Sequence, residues 1–149
     1  MPILKKIVEK NPLEKFRRVF TELTAPKGGL PTMPTRIADT SSDELGNMIA
    51  RYTAWREFTE DRHMEACAVY AQVKSEYDLA CDKEMLSSGA STVTERKASA
   101  KTSPKVEKLY KELNEAEMYR DLLAGKLESF SNVLAMLSRE LTRRGVYNP

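Results

Sequence analysis

Lys83, Arg96, Lys97, Lys101, Lys105, Lys108 and Lys111 crowd one stretch of this 149-residue chain, among Ser87, Ser88, Ser91, Thr92, Thr94, Ser99, Thr102 and Ser103. Flexible cations beside hydroxyl groups suit phosphate oxygens, and such contacts give nucleic-acid affinity that ignores base sequence and weakens with salt. Lys83, Arg96, Lys97, Lys101, Lys105 and Lys108 are therefore the candidate DNA-binding residues. Asp82, Glu84, Glu95 and Glu107 oppose them locally, and the competing reading is an ordinary solvated helix end. Single-strand binders usually add aromatic platforms for the bases. The nearest aromatics, Tyr77 and Tyr110, both sit on apolar stripes and are expected to pack.

Other constellations point less clearly to chemistry. Residues 1–36 carry 8 basic and 3 acidic side chains, and residues 37–86 carry 5 basic and 11 acidic ones. The first stretch holds a basic amphipathic arm with Ile3, Ile7, Phe16, Arg17, Arg18 and Phe20 as its partner-binding residues. Such segments dock on acidic partners, membranes or nucleic acid. The alternative is that the arm folds back over the acidic first long helix of its own chain. Glu60, His63 and Cys67 share a helix face at ligand-like spacing, but three ligands from one helix do not close a tetrahedral site, so no metal or other cofactor is expected. With one histidine, no Gly-rich phosphate loop, no Cys-x-x-Cys and no nucleophile elbow, an enzyme is not expected, nor is a small-molecule substrate.

The elements that must position these groups are helices. Charged residues make up 31% and aromatics 7%, a balance that suits long solvated helices rather than a sandwich or barrel. Asn11-Pro12 with Glu14 starts a helix bearing Leu13, Phe16, Phe20 and Leu23. Three prolines and two glycines between positions 26 and 34 then break it, giving a linker over residues 25–40. Ser41 followed by Glu44 is a capping box, opening a proline-free helical pattern to about Leu86. Gly89 lies in a turn, and Thr92 with Glu95 caps a short helical piece.

Ser103-Pro104 opens the last helix, expected to end at Gly145. Its ladder Val106, Leu109, Leu113, Ala116, Arg120, Leu123, Leu127, Phe130, Leu134, Leu137 and Leu141 alternates three and four residues, a coiled-coil seam interrupted by Arg120. Arg120 is expected to pair with an acid of the facing helix, set the register of an oligomer, or reach the surface.

The fold expected is all-α: a long antiparallel helical hairpin over residues 41–145, coiled-coil-like, with an arm at 1–24. Two helices leave too little cover for Phe130, Met118, Leu122 and Trp55, so a homo-oligomer is expected, held by Leu113, Leu123, Leu127, Phe130, Leu134 and Leu137. No stretch reads as a signal peptide or membrane span. Cys67 and Cys81 lie about 21 Å apart along one helix, so reduced thiols and a cytoplasmic location are expected.

Tyr52-Thr53-Ala54-Trp55 on a long helix, the Ser87-Ser88-Gly89 turn, the Lys/Arg stretch after it, Leu122-Leu123 and Arg143-Arg144-Gly145 together resemble the UvsY-like recombination mediator proteins of tailed bacteriophages, over residues 42–145. The resemblance implies a ring-forming accessory protein that binds single-stranded DNA, contacts the single-strand binding protein and helps load a recombinase. Where that family is rich in cations before the turn, this chain has Asp78, Asp82 and Glu84, which moves the expected DNA contacts past Gly89. The basic arm is additional to the family pattern. A structural or virion scaffold protein, with the arm locking neighbouring subunits, is the alternative function.

Overall fold

The computed structural model describes residues 25–147, and side chains as far as 145. The expected arm, with Ile3, Ile7, Phe16, Arg17, Arg18 and Phe20, lies outside the described residues. Among those described are three α-helices, one 3-10 turn at Ile37–Asp39 and no strand: α1 (Ser42–Ser87), α2 (Val93–Lys101) and α3 (Pro104–Tyr147). The described residues form an all-helical structure, as composition and capping signals predict.

Local chemistry sets the helix starts. At the head of α1 the Glu44 amide donates to Ser41 Oγ at 3.2 Å while the Glu44 carboxylate accepts from the Ser41 amide at 3.1 Å. Two donors that would otherwise be orphaned are thereby satisfied. Thr92 and Glu95 form the same reciprocal pair before α2. The far end of α3 departs from expectation, because the helix runs through Gly145 to Tyr147. Positive φ occurs, among the described residues, at Gly28 and Gly29 only, so Gly145 does not supply the left-handed cap that would stop a helix.

The described residues divide into two compact units, 25–63 with 122–147, and 64–121. In the first, Leu45 and Tyr52 of α1 meet Phe130 and Leu137 of α3, each pair one heptad apart, and Met33, Ile37, Met48, Ile49, Trp55, Val133, Leu134 and Leu141 pack around them. The Tyr52 and Phe130 rings lie 6.0 Å apart at 59°, a tilted contact that ring quadrupoles favour. Each fully buried side chain of this size contributes about 2 kcal/mol.

Residues 25–40, which read as a linker, are a strap bound to this unit. Trp55 Nε1 donates to the Gly29 carbonyl at 2.8 Å, Tyr52 Oη to that of Pro31 at 3.0 Å, and Arg51 Nη2 to those of Gly28 and Gly29. The positive φ of Gly28 (88°) and Gly29 (68°) turns both carbonyls toward these donors, a conformation that glycine adopts without strain. At the other end of the strap Arg144 donates to the carbonyls of Ile37 and Thr40, and Glu140 holds Arg144 by a 2.9 Å ion pair.

The second unit has a thinner core of Val69, Val73 and Ala116, with Tyr70 and Leu113 against it. Ala66, Ala80, Ala100 and Val106 are also buried. Arg120 does not face an acid across the seam. Its guanidinium lies 4.1 Å from the Tyr70 ring centre, and its charge is balanced by Glu117 and Asp121 of its own helix. A planar cation on an aromatic face fills an apolar register without being left unpaired.

Candidate nucleic-acid interface

The cationic stretch belongs to the second unit, and a series of local hydrogen bonds sets its backbone. Ser87 Oγ donates to the Glu84 carbonyl at 3.1 Å, the Ala90 amide to Ser88 Oγ at 3.2 Å, and Arg96 Nε to the Ala90 carbonyl at 2.8 Å. These close the turn between α1 and α2. At the next junction the Thr102 and Ser103 amides donate to Ser99 and Ala100, and Pro104 opens α3. Ala100 and Val106, both almost wholly buried, anchor the two sides of that junction.

On this frame Lys97 and Lys101 stand one turn apart on α2, and Lys105 and Lys108 one turn apart at the start of α3; all four are exposed. Residues 96–106 contain Arg96, Lys97, Lys101 and Lys105 and no acid. The acid before them, Glu95, is engaged by its cap: hydrogen bonds from Thr92, then Ser91, hold its carboxyl below the usual range. Its negative charge therefore serves the positive N-terminus of α2. Lys111, beyond the cluster, pairs with Glu107 at 3.2 Å.

Not every candidate sits alike. Arg96 is half-buried with Nε committed to the turn, so it shapes the backbone that presents the lysines. Lys83 is exposed on α1, on a different element from the other four. Tyr110, expected to pack, is 51% exposed. Its ring stands 5.9 Å from that of Tyr77, which is half-buried with its phenol pushed up by the Cys81 thiol and by burial. Tyr110 thus presents an exposed aromatic surface on α3, two residues beyond Lys108 and on a different side of the helix from it. An apolar register in the sequence did not disclose this, since half of such a stripe in a thin two-helix layer stays open.

Several of the residues expected to hold an oligomer pack within their own chain. Phe130 and Leu137 are 3% and 0% exposed, packed on α1 and the strap of their own chain; Leu134 packs against them and Leu113 against the second core. Leu123 and Leu127 are half-buried. The strap supplies cover that a bare pair of helices lacks, and Trp55 is covered in the same way. Large apolar side chains that do remain open in the second unit are Met64, Leu79, Leu86, Val93 and Met118, besides Tyr110.

Cys67 and Cys81 are free thiols. Among the described residues no cluster of three or more His, Cys, Asp and Glu side chains could hold a metal ion, and no helix is long and apolar enough to cross a membrane. Comparison of the chain with protein-family models, with curated proteins and with solved structures returns no match.

Proposed function

We infer that this chain is a non-enzymatic accessory protein that binds single-stranded DNA without sequence preference and helps load a recombinase. In this reading α1 and α3 form one long antiparallel hairpin, and copies of it assemble. The observation that carries it is the acid-free stretch 96–106, whose Lys97, Lys101 and Lys105 are all exposed. Tyr110 adds the aromatic surface that single-strand binding commonly uses. The resemblance to phage recombination mediators supports the same role, with the single-strand binding protein and the recombinase as partners. Assembly would draw on Leu79, Leu86, Val93 and Met118, and would multiply a modest cationic patch into a strong one.

Fluorescence anisotropy with a labelled oligonucleotide tests this. Binding should weaken steeply with salt, and Lys97→Glu/Lys101→Glu/Lys105→Glu should reduce affinity about 100-fold or more at low salt and flatten the salt slope. Unchanged binding in that variant, or binding indifferent to salt, removes the proposal. The open apolar residues also favour a second reading, a structural or scaffold protein; there the triple variant would assemble normally and the parent would not bind DNA.

A further inference from the structure

The strap is held by the kind of contact that serves peptide recognition. Leu30-Pro31-Thr32-Met33-Pro34 carries two prolines three residues apart, whose rings fix their own φ and push Leu30 and Met33 toward extended backbone. Among the described residues no backbone hydrogen bond ties 30–35 to one another. The hold comes instead from aromatic side chains of α1: Tyr52 Oη donates to the Pro31 carbonyl and Trp55 Nε1 to that of Gly29. Pro31 is buried, and Met33 packs on the cluster of Tyr52 and Phe130. An aromatic-lined groove that takes a preset extended proline segment is the chemistry of Pro-x-x-Pro recognition, in which the ligand loses little conformational freedom on binding.

The strap fills this surface incompletely. Leu30 stays exposed, and an open groove of about 280 Å³ lies beside Trp55, lined also by Pro26, Lys27, Ala50, Arg51 and Ala54. A Cβ added at Gly29 meets nothing within 4 Å, so there is room for a side chain where the strap has none.

We propose that this face of α1 and α3 is a docking groove for an extended Pro-x-x-Pro segment of a partner protein, and that residues 29–34 occupy it as a resident ligand which the partner displaces. The strap itself shows what the groove accepts: two open carbonyls, a proline that can be buried, and no charge. A partner with an apolar side chain in place of Gly29 adds contact with Trp55 and Ala54 that the strap does not make. A second copy is the weaker occupant. It must empty an identical groove to lend its strap, so the exchange gains no contact, while each strap acts on its own groove at an effective concentration in the millimolar range.

Titration of the full chain with a fluorescein-labelled peptide of residues 27–36, followed by anisotropy, tests the proposal. The resident strap competes, so the parent should bind weakly. Gly29→Ala/Pro34→Gly in the chain should free the groove and tighten peptide binding at least about 10-fold. Tyr52→Phe added to that variant should loosen binding again about 5-fold, and a peptide with both prolines replaced by alanine should bind at least about 10-fold more weakly than the unaltered one. If circular dichroism shows that the double variant has lost its helices, Gly29→Ala alone makes the same test, with a gain of about 5-fold. Any of four results would overturn the proposal: equal peptide affinity in the parent and the weakened-strap variant, equal binding of the proline-free peptide, indifference to Tyr52→Phe, or a weakened-strap variant that dimerises in native mass spectrometry and leaves the peptide unbound.

Discussion

Tyr52 shows how much one residue carries. Its ring lies against Phe130, its side chain is buried, and its hydroxyl satisfies the Pro31 carbonyl. Tyr52→Phe keeps the ring contact and leaves that carbonyl without its donor, which should cost about 1 to 2 kcal/mol in urea unfolding. Phe130→Ala removes the ring itself and should cost about 3 to 5 kcal/mol; a loss below about 1 kcal/mol would show that Phe130 is not in the core. Arg120 illustrates the limit of reading residues singly. A cation in a leucine ladder was visible in the sequence, but its partner is the face of Tyr70, and nothing in the local pattern distinguishes that ring from any other tyrosine on a helix.

At the level of elements the strap is the most informative. Trp55 is the only tryptophan, and its indole donates to Gly29, so its fluorescence reports on strap docking. Gly29→Ala places a side chain at φ 68° and should weaken docking by about 1 to 2 kcal/mol. A red-shifted Trp55 emission at lower urea than the parent would report it; coincident transitions would refute it. At its other end the strap depends on Glu140, whose carboxyl is held down at about 2 by hydrogen bonds from Arg143 and Arg144. A depressed pKa means that the unfolded chain binds the proton more readily. The stabilisation is therefore complete above the ordinary value of 4.5 and is lost as pH falls from there toward about 2. Glu140→Gln should flatten the stability profile within that window and leave the profile above it parallel to the parent's. The helix starts were legible because caps are interactions over three residues. The strap was not, because proline and glycine report only what the backbone avoids.

Across the whole molecule, cover is uneven. The core of the unit 25–63 with 122–147 is built on Leu45, Tyr52, Phe130 and Leu137, whereas 64–121 relies on Val69, Val73 and small alanines. Less apolar area is removed from water in the second, so its local opening should be easier. In hydrogen exchange, amides of 46–60 should be protected about 10-fold or more beyond those of 68–82; equal protection would mean that the difference in cores has no thermodynamic weight. The cationic stretch belongs to the unit with the smaller core.

By itself the sequence determined an all-helical chain, the starts of its helices at Ser41, Thr92 and Ser103-Pro104, and an acid-free run of cations, since periodicity, capping and composition act over a few neighbouring residues. Tertiary structure alone decided that Phe130 and Leu137 turn inward, that 25–40 is a bound strap, that α3 continues through Gly145, and that Arg96 holds a turn while Tyr110 stays open. Each of these depends on which surface meets which, and that is set by contacts between residues far apart in the chain.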